Sequence, residues 1–295
     1  MAVAVTVAVV GAGRMGAAMV GRLCAADMSV VVYNRTPDKA EAVAARHGAT
    51  VAATAREAVA AADVVVVSLA DDAALRDAYG GGDGLLAGVR DGVVVCDTST
   101  VAPETVRELA PLVAGRGGSL LDTPVSGSVP LVERGELTVM AGGDAAALDV
   151  ARPALDHLAR AVFHLGDVGA GAAMKLVVNG VVFALNLAVS EALVLAERAG
   201  IDRAATYDVL AASAVGAPYV HYKQDAFVRP QDAPVAFSLD LVAKDQRLID
   251  DLATAAGADL PQGDATREVV AAAVAAGLGG RDMSAVAEFL RRRSG

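Results

Sequence analysis

Tryptophan is absent from this chain of 295 residues, cysteine occurs twice, histidine four times, and aromatic side chains make up only 3%. Apolar residues nevertheless reach 55%, so the core has to be built from alanine, valine and leucine, and a disordered chain is excluded. Cys24 and Cys96 stand far apart, which excludes a disulfide framework and fits a reducing, cytoplasmic setting. The histidines show no ligand spacing, so no metal is implied. Basic clusters are missing apart from Arg291–Arg293, which reads as a solvated helix end. A net charge of −10 makes nucleic acid a poor partner. The apolar start AVAVTVAVV lacks a basic leader and runs straight into glycines, so it reads as a strand and not as a signal peptide. The longest apolar stretch, Leu176–Ser190, contains Asn179 and Asn186 and ends at Glu191. It falls short of the roughly 20 apolar residues of a membrane span, so no membrane is expected and a buried helix is.

What is present is an alternation. Short valine-rich runs at Val3–Val10, Val30–Tyr33, Val64–Leu69, Val93–Cys96, Leu120–Asp122, Leu137–Met140 and Val162–Leu165 are separated by alanine-rich stretches of helical character. Continuous β-branched runs suit strands covered on both faces, and the helices between them imply parallel crossovers. Thr36 can cap a helix starting at Pro37 that Gly48 closes. Gly80–Gly84 reads as a loop with no role beyond flexibility. Beyond residue 166 the strands cease, and helices are expected near 170–199, 202–214, 238–256, 265–278 and 284–293. The expectation is a Rossmann-type, doubly wound α/β domain over 1–166 and an all-helical domain over 167–295, linked by a long helix.

Gly11-Ala12-Gly13-Arg14-Met15-Gly16 is a GxGxxG directly after the first strand and at the start of a helix. In that context the three glycines have separate tasks: a tight turn, close approach of backbone amides to a pyrophosphate, and close helix–strand packing. The helix N-terminus adds donors and a favourable dipole. About 20 residues on, where an NAD site carries an acid for the ribose, the chain reads Tyr33-Asn34-Arg35-Thr36. A neutral Asn34 followed by Arg35 suits a 2′-phosphate, so NADPH is expected in preference to NADH.

Residues 169–179, GAGAAMKLVVN, put Lys175 and Asn179 one turn apart on one face of an otherwise small or apolar helix. A lysine snorkelling to water from a half-buried helix explains the segment as well as a functional pair does.

Four segments in order resemble the β-hydroxyacid dehydrogenase family, which includes 3-hydroxyisobutyrate dehydrogenases, tartronate semialdehyde reductases and glyoxylate/succinic semialdehyde reductases. GAGRMGAAMVGRL (11–23) is similar to the family's GxGxMGxxMAxNL, and DTPVSGSVPLVERGEL (122–137) to its substrate-binding DxPVSGGxxGAxxGxL. GAGAAMKLVVN matches GxGxxxKxxxN, and KDQRLIDD (244–251) resembles KDLxLAxD. The resemblance spans essentially the whole chain. It implies that Lys175 is the catalytic acid/base, that Ser126, Gly127, Ser128 and Asn179 bind the substrate, and that Leu69, Thr100 and Lys244 join the glycine loop and Asn34–Thr36 in contacting the dinucleotide. Thr98, Ser99 or Thr100 could equally cap the following helix, and Lys244 could be a solvated lysine.

The chemistry is sound on its own terms. As hydride reaches a carbonyl carbon, charge grows on oxygen, and a nearby ammonium can stabilise it and donate a proton. Partial desolvation by Met174, Leu176 and Val178 is expected to tune the lysine.

Ser128 replaces the second glycine of the family's SGG, and Leu131-Val132 replaces its downstream Gly-Ala. SGS with Pro130 two positions on is more similar to the glyoxylate/semialdehyde reductase branch. Segment 213–227 is expected to wall the substrate pocket, with Tyr219, His221 and Tyr222 on a helix-connecting loop. The expected function is an NADP(H)-dependent oxidoreductase interconverting a small hydroxy acid and its semialdehyde or keto acid. The partner is a small carboxylate or carbonyl compound. Two other readings use the same scaffold: an imine reductase, against which Lys175 argues, and a catalytically silent dinucleotide-binding module. A mean hydropathy of +0.47 points to apolar helix surface shared between copies, as a homodimer or homotetramer.

Overall fold

The computed structural model describes residues 5–294. Strands β1 (Thr6–Val10), β2 (Ser29–Tyr33), β3 (Thr50–Val51), β4 (Val64–Val67), β5 (Val94–Asp97) and β6 (Ser119–Asp122) form one wholly parallel sheet in the order β3-β2-β1-β4-β5-β6. This is the doubly wound arrangement, and the order reverses between β1 and β4. Residues 3 and 4 of the expected first strand lie outside the described residues. The valines of β1 and β4 have almost no exposed surface, because helices cover both faces of the sheet. Two apolar clusters result, one holding Met19, Leu23 and Leu155 and the other Leu75, Leu85 and Leu109. Each such buried leucine contributes about 1.5–3 kcal/mol.

A second sheet has the order β7-β8-β9, with β7 (Val125–Ser126) antiparallel to β8 (Leu137–Ala141) and β8 parallel to β9 (Ala159–His164). Strands β3 and β7 are too short to carry a hydrophobic period, so the sequence did not reveal them. Strand β9 starts earlier than expected because Ala159–Ala161 lack the β-branched signature that marks Val162. Gly84 is not merely flexible: a Cβ there would lie 1.9 Å from the Gly80 carbonyl oxygen. Thr36 does head the helix Pro37–His47, but its side chain makes no capping bond.

The chain divides into a first unit that runs to Lys175 and a second that begins at Leu176. The boundary expected at 166/167 therefore falls inside the first unit. The cause is local: the first turns of the long helix Ala170–Arg198 are bonded to β6, as described below. The second unit is helical, with Arg203–Ala212, Pro218–Val228, Leu239–Ala256, Pro261–Ala273 and Val286–Arg293 following the long helix. Segment 218–228 is thus a helix and not the expected loop. The aromatic Tyr219 faces the core, and its hydroxyl donates to Asn186 Oδ1 at 2.7 Å.

At 29 residues the long helix is, contrary to the sequence reading, long and apolar enough by length and composition to cross a membrane. Its inner side nevertheless builds the second unit's core through Leu176, Phe183, Leu187 and Leu193. Asn186 is also bonded there, its amide donating to the Met283 carbonyl at 3.0 Å. A buried amide of this kind requires a protein partner, which marks a core helix.

A buried ion pair crosses the same unit, with Lys223 Nζ 2.7 Å from Asp282 Oδ1 and 2.8 Å from Oδ2. Burial alone would raise the Asp282 carboxyl, but the Lys223 ammonium and bonds from the Ser284 and Phe237 amides hold it below the usual carboxylate range. Arg291 is not simply solvated, since it bonds Glu197 through Nε at 2.6 Å.

Candidate active site

The glycine loop follows β1 at the point where the sheet order reverses. The Gly11 amide donates to the Tyr33 carbonyl at 2.9 Å, and φ of +106° puts this residue in the region that glycine favours. A Cβ at Gly11 would lie 2.2 Å from the Ser68 carbonyl oxygen, and one at Gly16 would lie 1.9 Å from the Gly11 oxygen. Both glycines are therefore explained by the protein's own packing. Gly13 is not: it is exposed, and among the described residues nothing lies within 4 Å of its missing side chain. A bare backbone at the N-terminus of the helix Arg14–Cys24, with no acidic residue in its first turn, fits the approach of a pyrophosphate.

Ala12 donates its amide to Asn34 Oδ1 at 3.0 Å, and Asn34 Nδ2 donates to the Thr36 carbonyl at 2.9 Å. Asn34 thus braces the glycine loop against the β2–helix turn. Its neighbours Arg35 and Thr36 are exposed, as is Arg14, and Met15 is half-buried.

At the ends of β4 and β5 a polar cluster fixes the next two loops. Ser99 Oγ accepts from the Leu69 amide at 3.0 Å, and Asp97 Oδ1 accepts from the Ser99 amide at 2.7 Å. Thr98 Oγ1 donates to the Val67 carbonyl at 2.7 Å. The following helix, Pro103–Ala114, is headed by Ala102, so Thr98 and Ser99 hold strands and loops and not that helix. Thr100, half-buried, follows directly.

Burial raises the Asp97 carboxyl to about 6, opposed by its bonds from Ser99, with neighbouring Asp122 and Asp72 raising it further. A carboxyl whose folded value exceeds its unfolded one favours folding below the unfolded value, near pH 4. That contribution is lost as pH rises through about 6. Asp97→Asn is therefore expected to gain about 1–3 kcal/mol relative to the parent between pH 4 and pH 8, read from denaturant midpoints at both values. A difference that does not change with pH would contradict this.

The segment 122–128 leaves the sheet edge next. Asp122 is 1% exposed and accepts from the Gly169 amide at Oδ1 (2.8 Å) and from the Ala172 amide at Oδ2 (2.7 Å). Ser126 lies in β7, Gly127 has φ of +144°, and Ser128 heads the short helix Val129–Arg134. All three are half-buried. The Ser128 hydroxyl is buried and meets no hydrogen-bond partner among the described residues, which is the condition of a group whose partner is a ligand or water. The first unit thus brings together the glycine loop, the Leu69 and Thr100 loops and the start of the lysine helix. Lys175 is half-buried on that helix, between exposed Met174 and buried Leu176.

Within the second unit Asn179 is 6% exposed, and its Nδ2 donates to Asp245 Oδ2 at 2.8 Å. A carboxylate can only accept, so this bond fixes which end of the carboxamide faces Asp245 and turns its carbonyl oxygen away. Lys244 Nζ lies 2.9 Å from Asp245 Oδ1, so the fully buried Asp245 links the two residues expected to touch substrate and cofactor. Asp245 carries no signal of this role in the sequence. In the charged run KDQR it reads as a solvated face, and only the helix packing shows that Asp245 and Gln246 point inward.

Residues 6–166 match the model for the NAD binding domain of 6-phosphogluconate dehydrogenase, and residues 169–290 that for the NAD-binding of NADP-dependent 3-hydroxyisobutyrate dehydrogenase. Glyoxylate/succinic semialdehyde reductase 1 of Arabidopsis thaliana is 34% identical, over 95% of this chain and 96% of that protein. An NAD-dependent L-serine dehydrogenase of Pseudomonas aeruginosa is 32% identical, over 95% of this chain and 96% of its own. The solved structure of Mycobacterium tuberculosis 3-hydroxyisobutyrate dehydrogenase with L-serine superposes with a TM-score of 0.83 at 34% identity, covering 98% of this chain and all (100%) of that one. The matched ranges run across both units. The chain therefore belongs to the β-hydroxyacid dehydrogenase family, on its 3-hydroxyisobutyrate dehydrogenase and semialdehyde reductase side, and is an oxidoreductase built to bind a nicotinamide dinucleotide.

Proposed function

We propose that this chain is a cytoplasmic NADP(H)-dependent reductase of small carboxylate-bearing aldehydes or keto acids, with Lys175 as general acid/base. The observation that carries the reading is the lysine's setting. Lys175 stands half-buried one turn before Asn179, whose carboxamide is locked by a buried carboxylate. A lysine that merely snorkels has no use for so fixed a neighbour. The bound dinucleotide supplies the hydride. Lys175 donates a proton to the carbonyl oxygen as charge builds there, and in the oxidative direction takes it back. The Ser126 and Ser128 hydroxyls and the Gly127 amide hold the substrate carboxylate, while Asn179 orients the reacting end. Thr100, Leu69 and Lys244 bear on the dinucleotide. Initial rates with NADPH and NADH on glyoxylate, succinic semialdehyde, methylmalonate semialdehyde and tartronate semialdehyde test the reading. Turnover of cyclic imines alone would replace it by imine reduction, and dinucleotide binding with no turnover by a silent module.

Preference for NADPH rests on Arg35, exposed at the end of β2 with no acid at Asn34 to repel a phosphate. Charge-assisted bonds to an ionised group are worth about 1.5–3 kcal/mol, so Arg35→Ala should weaken NADPH binding about ten- to hundredfold and NADH binding about twofold at most. Equal losses for both cofactors would remove this basis for selectivity.

Association between copies is proposed from the outer side of the long helix. Val177 (54%), Val181 (67%) and Leu195 (72%) are exposed there, with Val209 (68%) on the helix that follows. Positions 177, 181 and 195 share one face at 3.6 residues per turn, an apolar stripe of the kind that copies bury between them. Light scattering at micromolar concentration should give a dimer or tetramer; a monomer would refute it.

A further inference from the structure

We propose that Asp122 is a positioning residue for the reaction: it fastens the strand leading into the substrate segment to the N-terminal turn of the helix that carries Lys175. The inference rests on the reading of Lys175 as the proton donor. Asp122 ends β6, three residues before Val125–Ser126. Its two carboxylate oxygens accept from amides 47 and 50 positions further along the chain. Helices are ordinarily capped by a side chain just ahead of their first turn. Here the cap comes from another layer of the fold.

Its backbone is fixed as well. The Asp122 amide donates to the Gly142 carbonyl at 3.1 Å, and the Gly142 amide donates back at 2.8 Å. The helix start is pressed onto the same strands, because a Cβ at Gly171 would lie 2.3 Å from the Met140 carbonyl oxygen and 2.6 Å from that of Asp122. Asp97 lies directly across in register on β5, and the Arg107 guanidinium borders Gly169. Asp122 is the carboxylate whose oxygens receive the two helix amides. An α-helix is stiff and rises 1.5 Å per residue, so fixing its amides at 169 and 172 fixes where position 175 begins. Ala172 and Lys175 are i and i+3 on one side of it. A displacement of about 1 Å in a reacting group can lower the rate about a hundredfold.

Asp122→Asn keeps the size but sets an NH2 group against one of the two helix amides. It is expected to lower kcat about ten- to hundredfold while NADPH affinity, read by fluorescence titration, stays within about twofold. In a double-mutant cycle with Lys175→Ala, the double variant should be no slower than Lys175→Ala alone, because a residue acting through the lysine has nothing left to act on. In the folded Asp122→Asn protein the amides of Gly169 and Ala172 should also exchange with solvent faster. Should that variant fail to fold, Asp122→Ser, which keeps one hydroxyl acceptor, enters the same measurements.

A kcat loss below about threefold, losses that multiply in the cycle, or unchanged exchange at those two amides would each overturn the inference. The parent reading fails separately, on Lys175→Ala alone.

Discussion

Lys175→Ala is expected to lower kcat about 10²–10⁴-fold on the preferred aldehyde or keto acid, the usual contribution of a positioned acid/base. NADPH affinity should stay within about twofold, since the dinucleotide's own contacts are assigned to other residues. The physical reason is differential: the ammonium is worth most once charge has built on the carbonyl oxygen, so its loss falls on the transition state more than on the bound substrate. Arginine is not a substitute. Its guanidinium is effectively always charged and presents a planar fork, so Lys175→Arg should remain impaired in the oxidative direction, where the residue has to take a proton. Steady-state rates in both directions and NADPH titration check this. Activity of Lys175→Ala within about tenfold of the parent would end the acid/base assignment.

Asp282→Ala is expected to destabilise the second unit strongly, costing about 3–5 kcal/mol. It strands the Lys223 ammonium, whose side chain is 4% exposed, and orphans three backbone amides at once. Asp282 Oδ2 accepts from Ala236 at 2.9 Å and Phe237 at 3.2 Å, and Oδ1 from Ser284 at 3.1 Å. Lys223→Met should cost less, because Asp282 keeps those three donors. Replacing both partners should not restore the parent, since each unsatisfied amide still costs about 1–3 kcal/mol. Guanidinium denaturation midpoints give the order directly. A Lys223→Met variant less stable than Asp282→Ala would show that the amide contacts count for little.

The parts that were legible in the sequence have short-range causes. Strands β1, β2, β4 and β5 are runs of valine, whose branched side chains suit a covered sheet, and the glycine loop is a local turn whose residues announce themselves by spacing. Lys175 and Asn179 stood out because a polar pair at helical spacing contrasts with an apolar background. The illegible parts have long-range causes. Strands β3 and β7 are held by their partners and not by their own pattern. Helix Pro218–Val228 mixes polar and aromatic residues without a clean period, and its burial depends on what packs over it. Asp245 looked solvated because charge predicts exposure unless a partner is supplied, and its partner Asn179 lies 66 positions away.

By itself the sequence determined a doubly wound sheet, a glycine turn open to a phosphate and a helical second half, because each follows from the order of neighbouring residues; the acid/base role of Lys175 came only from the family resemblance of its segment. Tertiary structure alone decided that Asp122 caps the lysine helix, that Asp245 locks Asn179 and that Lys223 pairs with Asp282. Buried polar groups must find partners, and which residue can serve is settled only when distant segments are brought within hydrogen-bonding reach.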